Sequence, residues 1–506
     1  MSRAVELTGQ AIWASLGQLA QALLATISTI ILARILGAET YGVFALGLLI
    51  VGFAEIFVGG HAADIVVQKP DVTAGHRNAA FVALSVISVL SAVVIWAGGA
   101  AAADFFEAPQ LQAPLLAMAV LPVLTGLASV PNQILVRRLQ FNDLARIGAV
   151  SGTLAVLVGV VLAFSGAGIW SLVIMEIARR AMNLAMLFPA ACWRPGLRFQ
   201  RQEFAEVLRF ASRRVENNGL TYISQNALPR LFIGQWLGTE ALGLFAVARR
   251  LLDQLHNILS GPVAAVAFPA AAQLQHDRER LARLIETSVR LTTWVFWPVV
   301  LGVAMVAPVL VPLAFGDGWA GAIPVLQTLA LGTLRAPVSS FNTAVLVAFG
   351  RMGSVSFISV LSIVLGVAFL AVGVQYGLVG VAAALSLRQW ALWPVGAMQV
   401  YRVSGLHPLG QLRMLFIAAL PSLIMAGSVW FASETIHGLQ PVPLLCSLVA
   451  IGVIVYGLAW AAFNPRQTIL LLKAMFDVVR GDWASAKSRI PLILGTIADP
   501  QASRNG

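Results

Sequence analysis

Apolar residues fill most of this chain in long runs, and short polar connections separate the runs. A helix needs about 20 predominantly apolar residues to cross a ~30 Å hydrocarbon core, and about 14 runs approach or exceed that length. The pattern therefore predicts an all-α integral membrane protein with about 14 transmembrane helices. The predicted spans are 11–33, 41–67, 79–103, 112–136, 144–165, 168–192, 215–237, 240–270, 289–315, 320–347, 353–375, 377–401, 410–432 and 440–463.

A repeated motif divides these spans into two related halves. Residues 36–45 read LGAETYGVFA and residues 237–246 read LGTEALGLFA, so both carry Leu-Gly-x-Glu-x-x-Gly-x-Phe-Ala at the end of one span and the start of the next. A fainter repeat aligns Gly168 and Arg179 of the sixth span with Gly377 and Arg388 of the twelfth. A shift of six helices preserves orientation, so the repeats predict two parallel six-helix bundles, and such proteins usually place their substrate path between the halves.

The repeats also predict the organisation of the chain. Two bundles come first, joined by a basic cytoplasmic connection, and two additional spans and an amphipathic cytoplasmic tail follow. The predicted limits are 8–192 for the N-terminal bundle, 193–214 for the connection, 215–403 for the C-terminal bundle, 410–463 for the additional spans and 464–506 for the tail.

Composition and charge agree with a membrane location. Hydrophobic residues make up 59% of the chain and charged residues 11%, against roughly 25% charged in a soluble domain. With both termini in the cytoplasm, the loops on the opposite side hold only Arg34 among all Lys and Arg residues. This asymmetry predicts a multi-pass protein of a bacterial inner membrane with cytoplasmic termini. The net charge of +11 is then explained by basic loops that lie near anionic lipid headgroups, and no nucleic-acid partner is expected.

Little in the sequence favours catalysis, and no cofactor is expected. A G-x-x-x-x-G-K-[ST] loop for ATP is absent from the sequence. The histidines lack metal-ligand spacing, so no metal site is predicted. Cys192 and Cys446 are far apart, which makes a disulfide framework improbable. No set of catalytic residues is predicted.

Polar residues inside the spans carry the candidate chemistry. A charge at the bilayer centre costs about 2.5–3.5 kcal/mol on insertion scales, so such a residue normally faces a watery cavity or a partner. Guanidinium groups bind phosphate oxygens bidentately, and the number of intramembrane arginines therefore favours an anionic, phosphate-bearing substrate. The candidate substrate-binding residues are Arg249, Arg250, Arg230, Arg179, Arg388, Arg335, Asn217, Asn218, Gln225, Gln18 and Gln21, and the candidate ion-coupling residues are Asp253, Glu176 and Glu55.

Each of these charges also has a purely structural interpretation. Arg249 or Arg250 would pair with Asp253 on the same helix stripe, and Arg179 or Arg180 with Glu176. Arg335 precedes Pro337, where a freed backbone carbonyl would accept its hydrogen bonds. Glu55 shares a stripe with Gly52 and Gly59, which indicates close helix packing equally well.

Three local motifs resemble a known family. They are Ala33-Arg34-x-Leu36-Gly37-x-x-x-Tyr41-Gly42, Leu231-Phe232-Ile233-Gly234-x-x-Leu237-Gly238-x-x-x-Leu242-Gly243, and Phe268-Pro269. Over roughly residues 8–465 the chain resembles the polysaccharide flippases and lipopolysaccharide exporters (Wzx-type) of the multidrug/oligosaccharidyl-lipid/polysaccharide exporter superfamily. Many relatives have Asp-Arg before the Ile-Gly pair and Tyr after the second Leu-Gly, where this chain has Pro229-Arg230 and Phe245. A coupling acid therefore cannot be transferred to position 229.

The resemblance implies a flippase that moves a polyprenyl-pyrophosphate-linked oligosaccharide across the inner membrane by alternating access. Expected partners are that substrate, membrane lipids, and a polysaccharide polymerase with its chain-length regulator. An ion-coupled multidrug or metabolite antiporter of the same superfamily is the alternative within the fold, although a cationic drug favours intramembrane acids over arginines. A membrane-embedded glycan polymerase or glycosyltransferase is the alternative from another class. Such enzymes usually present acids on a large external loop, and the external loops here are short.

The predicted orientation can be tested by cysteine labelling in a background without the two native cysteines. Because the positive-inside asymmetry sets the topology, cysteines in the external connections should react with a membrane-impermeant maleimide in intact cells. Cysteines in the basic connections should react only after permeabilisation, and their labelling in intact cells would overturn the orientation. The external positions are Gly166, Asp317 and Tyr376, and the cytoplasmic positions are Arg201 and Arg280.

Overall fold

In the computed structural model of the protein, each predicted span falls mainly on α-helix among the residues that the structure describes. The structure describes residues 2–58, 62–274, 277–416, 418–436 and 438–465, with the side chains of 2–25, 213, 214, 217, 261–270, 272 and 273 left out. The predicted tail, 464–506, thus lies almost wholly outside the described residues. The helices are α1 Ser2–Val58, α2 Ile65–Gln68, α3 Ala74–Phe105, α4 Gln112–Met118, α5 Val120–Arg137, α6 Phe141–Phe164, α7 Ile169–Ala191, α8 Arg201–Tyr222, α9 Leu228–Trp236, α10 Gly238–Gln273, α11 Arg278–Phe315, α12 Ala322–Thr333, α13 Ala336–Ala348, α14 Met352–Gly373, α15 Gly377–Ser404, α16 Pro408–Phe416, α17 Ala419–Thr435 and α18 Pro441–Phe463.

Eight helical stretches in the described part of the chain are long and apolar enough to cross a bilayer by themselves. The other predicted spans do not form separate helices that meet this criterion of length and apolarity, and the sequence and the helix limits show why. α7 and α10 carry charges in their middle, α8 with α9 is polar over its first half, and α12 and α13 are two short pieces of one span. α1 and the stretch from α14 through α15 each contain two predicted spans.

Packing divides the chain into two compact units. The first holds residues up to Leu251 with Ala314–Ala322 and Ser359–Ala384, and the second holds Leu252–Leu313, Ile323–Ile358 and the chain from Leu385 onward. In the first unit α1 packs on α3 and α6, and α5 on α3 and α7. In the second unit α17 packs on α18, and α16 on α13 and α17. The domain limits predicted from the repeats stay predictions.

The two copies of the repeated motif contact each other in the first unit. Gly37 interrupts α1 with φ = 77°, and Gly238 begins α10 with φ = 82°, a backbone conformation that favours glycine. One turn later the two helices touch backbone to backbone. A Cβ on Gly42 would lie 1.7 Å from the carbonyl oxygen of Thr239, and a Cβ on Gly243 would lie 1.9 Å from that of Ala38. The contact is reciprocal: Gly42 faces Thr239, and Gly243 faces Ala38, which is the residue that aligns with Thr239 in the other copy.

The second repeat also corresponds to a shared backbone geometry. Gly168 precedes α7 with φ = 55°, and Gly377 begins α15 with φ = 70°. Each glycine ends a tight connection and opens the helix that carries an aligned arginine, Arg179 or Arg388. The positive φ explains why glycine is needed at both positions.

α8 attaches the basic connection to the N-terminal helices. Its Val207 and Ala211 are buried in a core formed with α2, α3, α5 and α7. Glu206 accepts hydrogen bonds from Lys69 and, at 3.1 Å, from the buried His76. The Lys69 ammonium group lowers the pKa of the Glu206 carboxyl below its usual range, so this attachment should weaken only as the pH falls through that lowered value. α8 then continues through a π-helical turn, Ile223–Ala227, into α9.

Replacing Gly42 or Gly243 with Ala should destabilise the protein strongly. The added Cβ would overlap a backbone oxygen that no side-chain rotation can move, and overpacking of this kind costs about 1–3 kcal/mol or more. Gly152→Ala is the matched control, because a Cβ there meets nothing within 4 Å and alanine raises helix propensity. Thermal unfolding of the purified protein measures the difference. Equal melting temperatures for Gly42→Ala and Gly152→Ala would contradict the reciprocal contact.

Candidate functional site

A polar cavity of about 360 Å³ opens among the N-terminal helices. Side chains of α5 and α7 line it at i, i+3 and i+4 spacing, which places them on one face of each helix, and α1 adds one residue. Amides and hydroxyls supply much of the lining, and two arginines and a glutamate supply the charge. The polar lining residues are Glu55 from α1, Thr125, Ser129, Asn132 and Gln133 from α5, and Arg179, Arg180 and Asn183 from α7.

Arg180 is the centre of the charged network in this cavity. Its Nη1 donates to the Glu55 carboxylate and, at 2.6 Å, to the Thr125 hydroxyl. Its Nε donates to Glu176 at 2.8 Å. Arg179 holds the same Glu176 carboxylate through Nε at 3.0 Å and Nη2 at 2.6 Å. Thus α1, α5 and α7 are tied together through one guanidinium group.

The charges of this network balance formally. Two guanidinium groups face two carboxylates, and the pair Arg180–Glu176 is largely buried, with 14% and 13% of the side chains exposed. Arg179 is different, because 47% of its side chain is exposed in the cavity region. The structure therefore realises the ion-pair interpretation for Arg180 and Glu176, while Arg179 keeps donor surface that is open to a ligand.

Two further candidate arginines lie in the second unit. Arg335 lies where α12 ends and α13 begins, and Arg388 lies on α15 with its side chain fully buried. The indole N–H of Trp297 donates to the Leu334 carbonyl at 2.9 Å, and that of Trp390 donates to the Leu331 carbonyl at 3.0 Å. Both indoles thus donate to carbonyls beside the break, and the pairing of Arg335 with a carbonyl freed by Pro337 stays a prediction.

The remaining candidates are distributed along α8, α9 and α10. Gln225 lies in the π-helical turn, and Arg230 lies close enough to Tyr222 to act on it electrostatically. Arg250 acts on Tyr41 of the repeated motif in the same way. Asn218 lies on α8, Arg249 on the first part of α10 and Asp253, which is exposed, on the part assigned to the second unit. The side chains of Gln18, Gln21 and Asn217 lie outside the described residues. All these assignments as substrate or coupling residues stay predictions.

Several residues of the cavity were missed by sequence reasoning. Asn132, Gln133 and Asn183 were not predicted, although their spacing on α5 and α7 matches the faces that carry Thr125 and Arg179. Glu55 was predicted as an ion-coupling candidate or as part of a glycine stripe, but its contact with Arg180 was not predicted, because a single sequence does not show which residues of α1 and α7 face each other. Within the described residues, no group of His, Cys, Asp and Glu side chains could hold a metal ion.

Residues 31–324 match the family model described as "Polysaccharide biosynthesis protein", which covers more than half of the chain. The chain belongs to the polysaccharide biosynthesis protein family. It is 28% identical over 312 residues to the succinoglycan biosynthesis transport protein ExoT of Rhizobium meliloti (strain 1021), an alignment that covers 62% of this chain and 63% of that protein. It is 25% identical over 324 residues to the lipopolysaccharide biosynthesis protein WzxC of Escherichia coli (strain K12), with 62% and 65% covered. The chain thus spans less than two thirds of the length of these relatives.

Solved structures show the same fold. The lipid II flippase MurJ, in an inward closed conformation, superposes with a TM-score of 0.72 at 14% identity, covering 90% of this chain and 99% of that one. An inward-facing multidrug resistance MATE family transporter superposes with a TM-score of 0.62 at 17% identity, covering 78% and 98%. The polysaccharide biosynthesis family member described here is therefore an all-α, multi-pass membrane protein with the fold of these transporters, which have about 14 helices. The predicted fold class is confirmed.

Removing Arg180 should destabilise the protein more than removing its neighbour Arg179. Arg180→Ala leaves the Glu55 carboxylate without its guanidinium donor, and a lost hydrogen bond to a charged group costs about 1.5–3 kcal/mol. Arg179→Ala removes a half-exposed guanidinium group and leaves Glu176 with its other donor, Arg180, so the loss should be only about 0–1 kcal/mol. Thermal unfolding in detergent should therefore show a clear loss for Arg180→Ala, a small one for Arg179→Ala, and partial recovery in Arg180→Gln/Glu55→Gln. Similar melting temperatures for the two alanine variants would contradict the central role of Arg180.

Proposed function

We propose that this protein is a flippase that translocates a polyprenyl-pyrophosphate-linked oligosaccharide across the bacterial inner membrane by alternating access. The observation that carries the proposal is the polar cavity among membrane-spanning helices, lined by amides and hydroxyls around a charge-balanced network. Amide and hydroxyl groups both donate and accept hydrogen bonds, which suits the hydroxyl-rich surface of a glycan. The cavity volume falls within the usual range of ligand pockets, about 300–1,000 Å³.

The relatives support this substrate class. Their names describe proteins of succinoglycan transport, lipopolysaccharide biosynthesis and, in Bacillus subtilis (strain 168), teichuronic acid biosynthesis. Each of these products is a polysaccharide or a glycolipid. A role in transport rather than catalysis is accordingly part of the proposal.

The roles of the candidate residues follow from their surroundings. Asn132, Asn183 and the exposed side of Arg179 would contact the glycan in the cavity. Cationic side chains elsewhere would meet the pyrophosphate, and the polyprenyl tail would stay in the lipid. The candidates for the pyrophosphate are Arg230, Arg249, Arg250, Arg335 and Arg388, with Asn217, Asn218, Gln225, Gln18 and Gln21 as further polar contacts.

Energy would come from substrate supply or from an ion gradient coupled through Glu55, Glu176 or Asp253. We further propose cytoplasmic termini, as the loop charges predict, and cooperation with a polysaccharide polymerase and a chain-length regulator. An antiporter for small cations is the alternative within the same fold. The described cavity disfavours it, because each carboxylate in the network already holds a guanidinium group.

Deleting the gene should leave lipid-linked oligosaccharide at the cytoplasmic face and abolish the corresponding surface glycan, without changing sensitivity to cationic dyes. Complementation with Asn183→Ala should lower glycan export about 2- to 10-fold at unchanged protein level, the effect of losing one neutral hydrogen bond. Ser165→Ala, at an exposed connection, is the matched control and should complement fully. Altered dye sensitivity with normal surface glycan would instead favour the antiporter.

A further inference from the structure

Two prolines interrupt the backbone hydrogen bonds inside α11. Pro298 and Pro308 lie within this helix, which continues through both of them. A proline has no N–H group, so the carbonyl four residues earlier loses its usual partner. The carbonyls that lose their partner in this way belong to Trp294 and Ala304, and both residues are buried. In a membrane span such a carbonyl needs a donor from elsewhere in the protein.

Side chains of two other helices bind these carbonyls. The Tyr456 hydroxyl of α18 donates to the Trp294 carbonyl oxygen at 2.6 Å. The Gln327 Nε2 of α12 donates to the Ala304 carbonyl oxygen at 3.0 Å. Each side chain thus replaces the backbone N–H that a proline lacks. A backbone N–H would hold the helix in one geometry, whereas a side chain can turn about its own torsions and follow the carbonyl when the helix bends.

The two bonds connect different segments of α11 to different helices. The segment before Pro298 is bonded to α18, and Trp294 also packs edge to face against Trp460 of that helix, with 4.3 Å between the ring centroids. The segment between the two prolines is bonded to α12 through Gln327. All these residues belong to the second unit. A change of angle at Pro298 would therefore move α12 and α18 relative to each other.

Space for such a movement lies beside the middle segment of α11. A cavity of about 550 Å³ lies between this helix and α17 and α18, and Pro298 and Gly302 are on its wall. A Cβ on Gly302 would lie 3.9 Å from Cε of Met425, which is an ordinary van der Waals distance. Helices bend sharply mostly where a proline interrupts the backbone bonds. At Pro298 that interruption coincides with room for the bend.

We propose that α11 is a hinge helix, with Pro298 and Pro308 as bending points. Tyr456 and Gln327 are positioning residues, because they keep the two carbonyls hydrogen-bonded while the helix bends. Transporters change conformation through hinges of this kind, at which a few residues absorb the change in backbone angles. That the bending serves substrate translocation rests on the proposed function. The bending itself requires only α11 and the helices bonded to it.

A double-mutant cycle on the purified full-length protein in detergent tests the role of Tyr456. Tyr456→Phe leaves the Trp294 carbonyl without its donor, so the melting temperature should fall by about 1–3 °C. Pro298→Ala restores the backbone N–H, so Tyr456→Phe should have a much smaller effect in that background. Tyr376→Phe, at a side chain that is 75% exposed, is the matched control and should melt as the wild type does. An equal loss with and without Pro298 would overturn the role of Tyr456.

Distances between spin labels measure the bending directly. Labels on Glu286→Cys and Leu310→Cys, in a protein without the native cysteines, would be about 36 Å apart in a straight helix. Double electron–electron resonance should give a broad distance distribution for these labels. The distribution should become narrow in Pro298→Ala/Pro308→Ala, where backbone bonds are restored, and in Gly302→Leu, which fills the cavity beside the helix. An unchanged distribution in the folded variants would overturn the hinge, and Gly302→Leu alone decides if the proline variant does not fold.

Glycan export separates a hinge of the transport cycle from a purely structural feature. Pro298→Ala/Pro308→Ala should lower export about 2- to 10-fold at unchanged protein level, because changes at a hinge alter the rate of conformational steps. Wild-type export together with a narrow distance distribution would overturn the role of the bend in transport. The proposed function has its own readout, because it fails if the deletion strain accumulates no lipid-linked oligosaccharide, whatever the spin labels show.

Discussion

The structure depends on one constraint, that polar groups inside a bilayer must find partners within the protein. Serine and threonine hydroxyls along the spans return their hydrogen bonds to carbonyls one turn earlier, as Thr293 does to Val289. Where a helix is broken, indoles supply the missing donors, as Trp297 does for Leu334. The constraint is stronger for charged side chains, since burying an unpaired charge costs far more free energy than burying an unpaired amide. The candidate sites are the places where this constraint is met with residues that can also serve a ligand.

The arginines inside the spans satisfy the constraint in different ways. In the N-terminal cavity the positive and negative charges are equal, so the field that a ligand meets is made of local dipoles and one open guanidinium group. Arg335 lies at the break between α12 and α13, where the indoles of Trp297 and Trp390 donate to the Leu334 and Leu331 carbonyls.

Much of the fold and part of the candidate site could be predicted from the sequence, because the patterns that indicate them are local in the chain. The spans, the duplicated Leu-Gly motif and the pairing of Arg179 or Arg180 with Glu176 follow from apolar run length, self-similarity and spacing along a helix. The contact of Glu55 with Arg180 could not be predicted, because it joins residues far apart in the chain and depends on how helices are rotated. The pairing of Arg335 with a carbonyl freed by Pro337 stays a prediction, and the structure adds that tryptophans donate to the nearby Leu331 and Leu334 carbonyls. Aromatic residues are so common in membrane spans that their sequence positions did not reveal this role.

The reciprocal contact between Gly42 and Gly243 bears on the origin of the protein. In a two-fold symmetric interface, residue i of one subunit contacts residue j of the other, and j contacts i in return. The two motif copies meet with this relation, although they belong to one chain: Gly42 faces Thr239, and Gly243 faces Ala38, the counterpart of Thr239. An ancestral chain with a single copy of the motif would make the same contact by pairing with itself. The crossing can thus be understood as the interface of a former homodimer, retained after gene duplication and fusion, and each glycine limits which residues the other copy can tolerate.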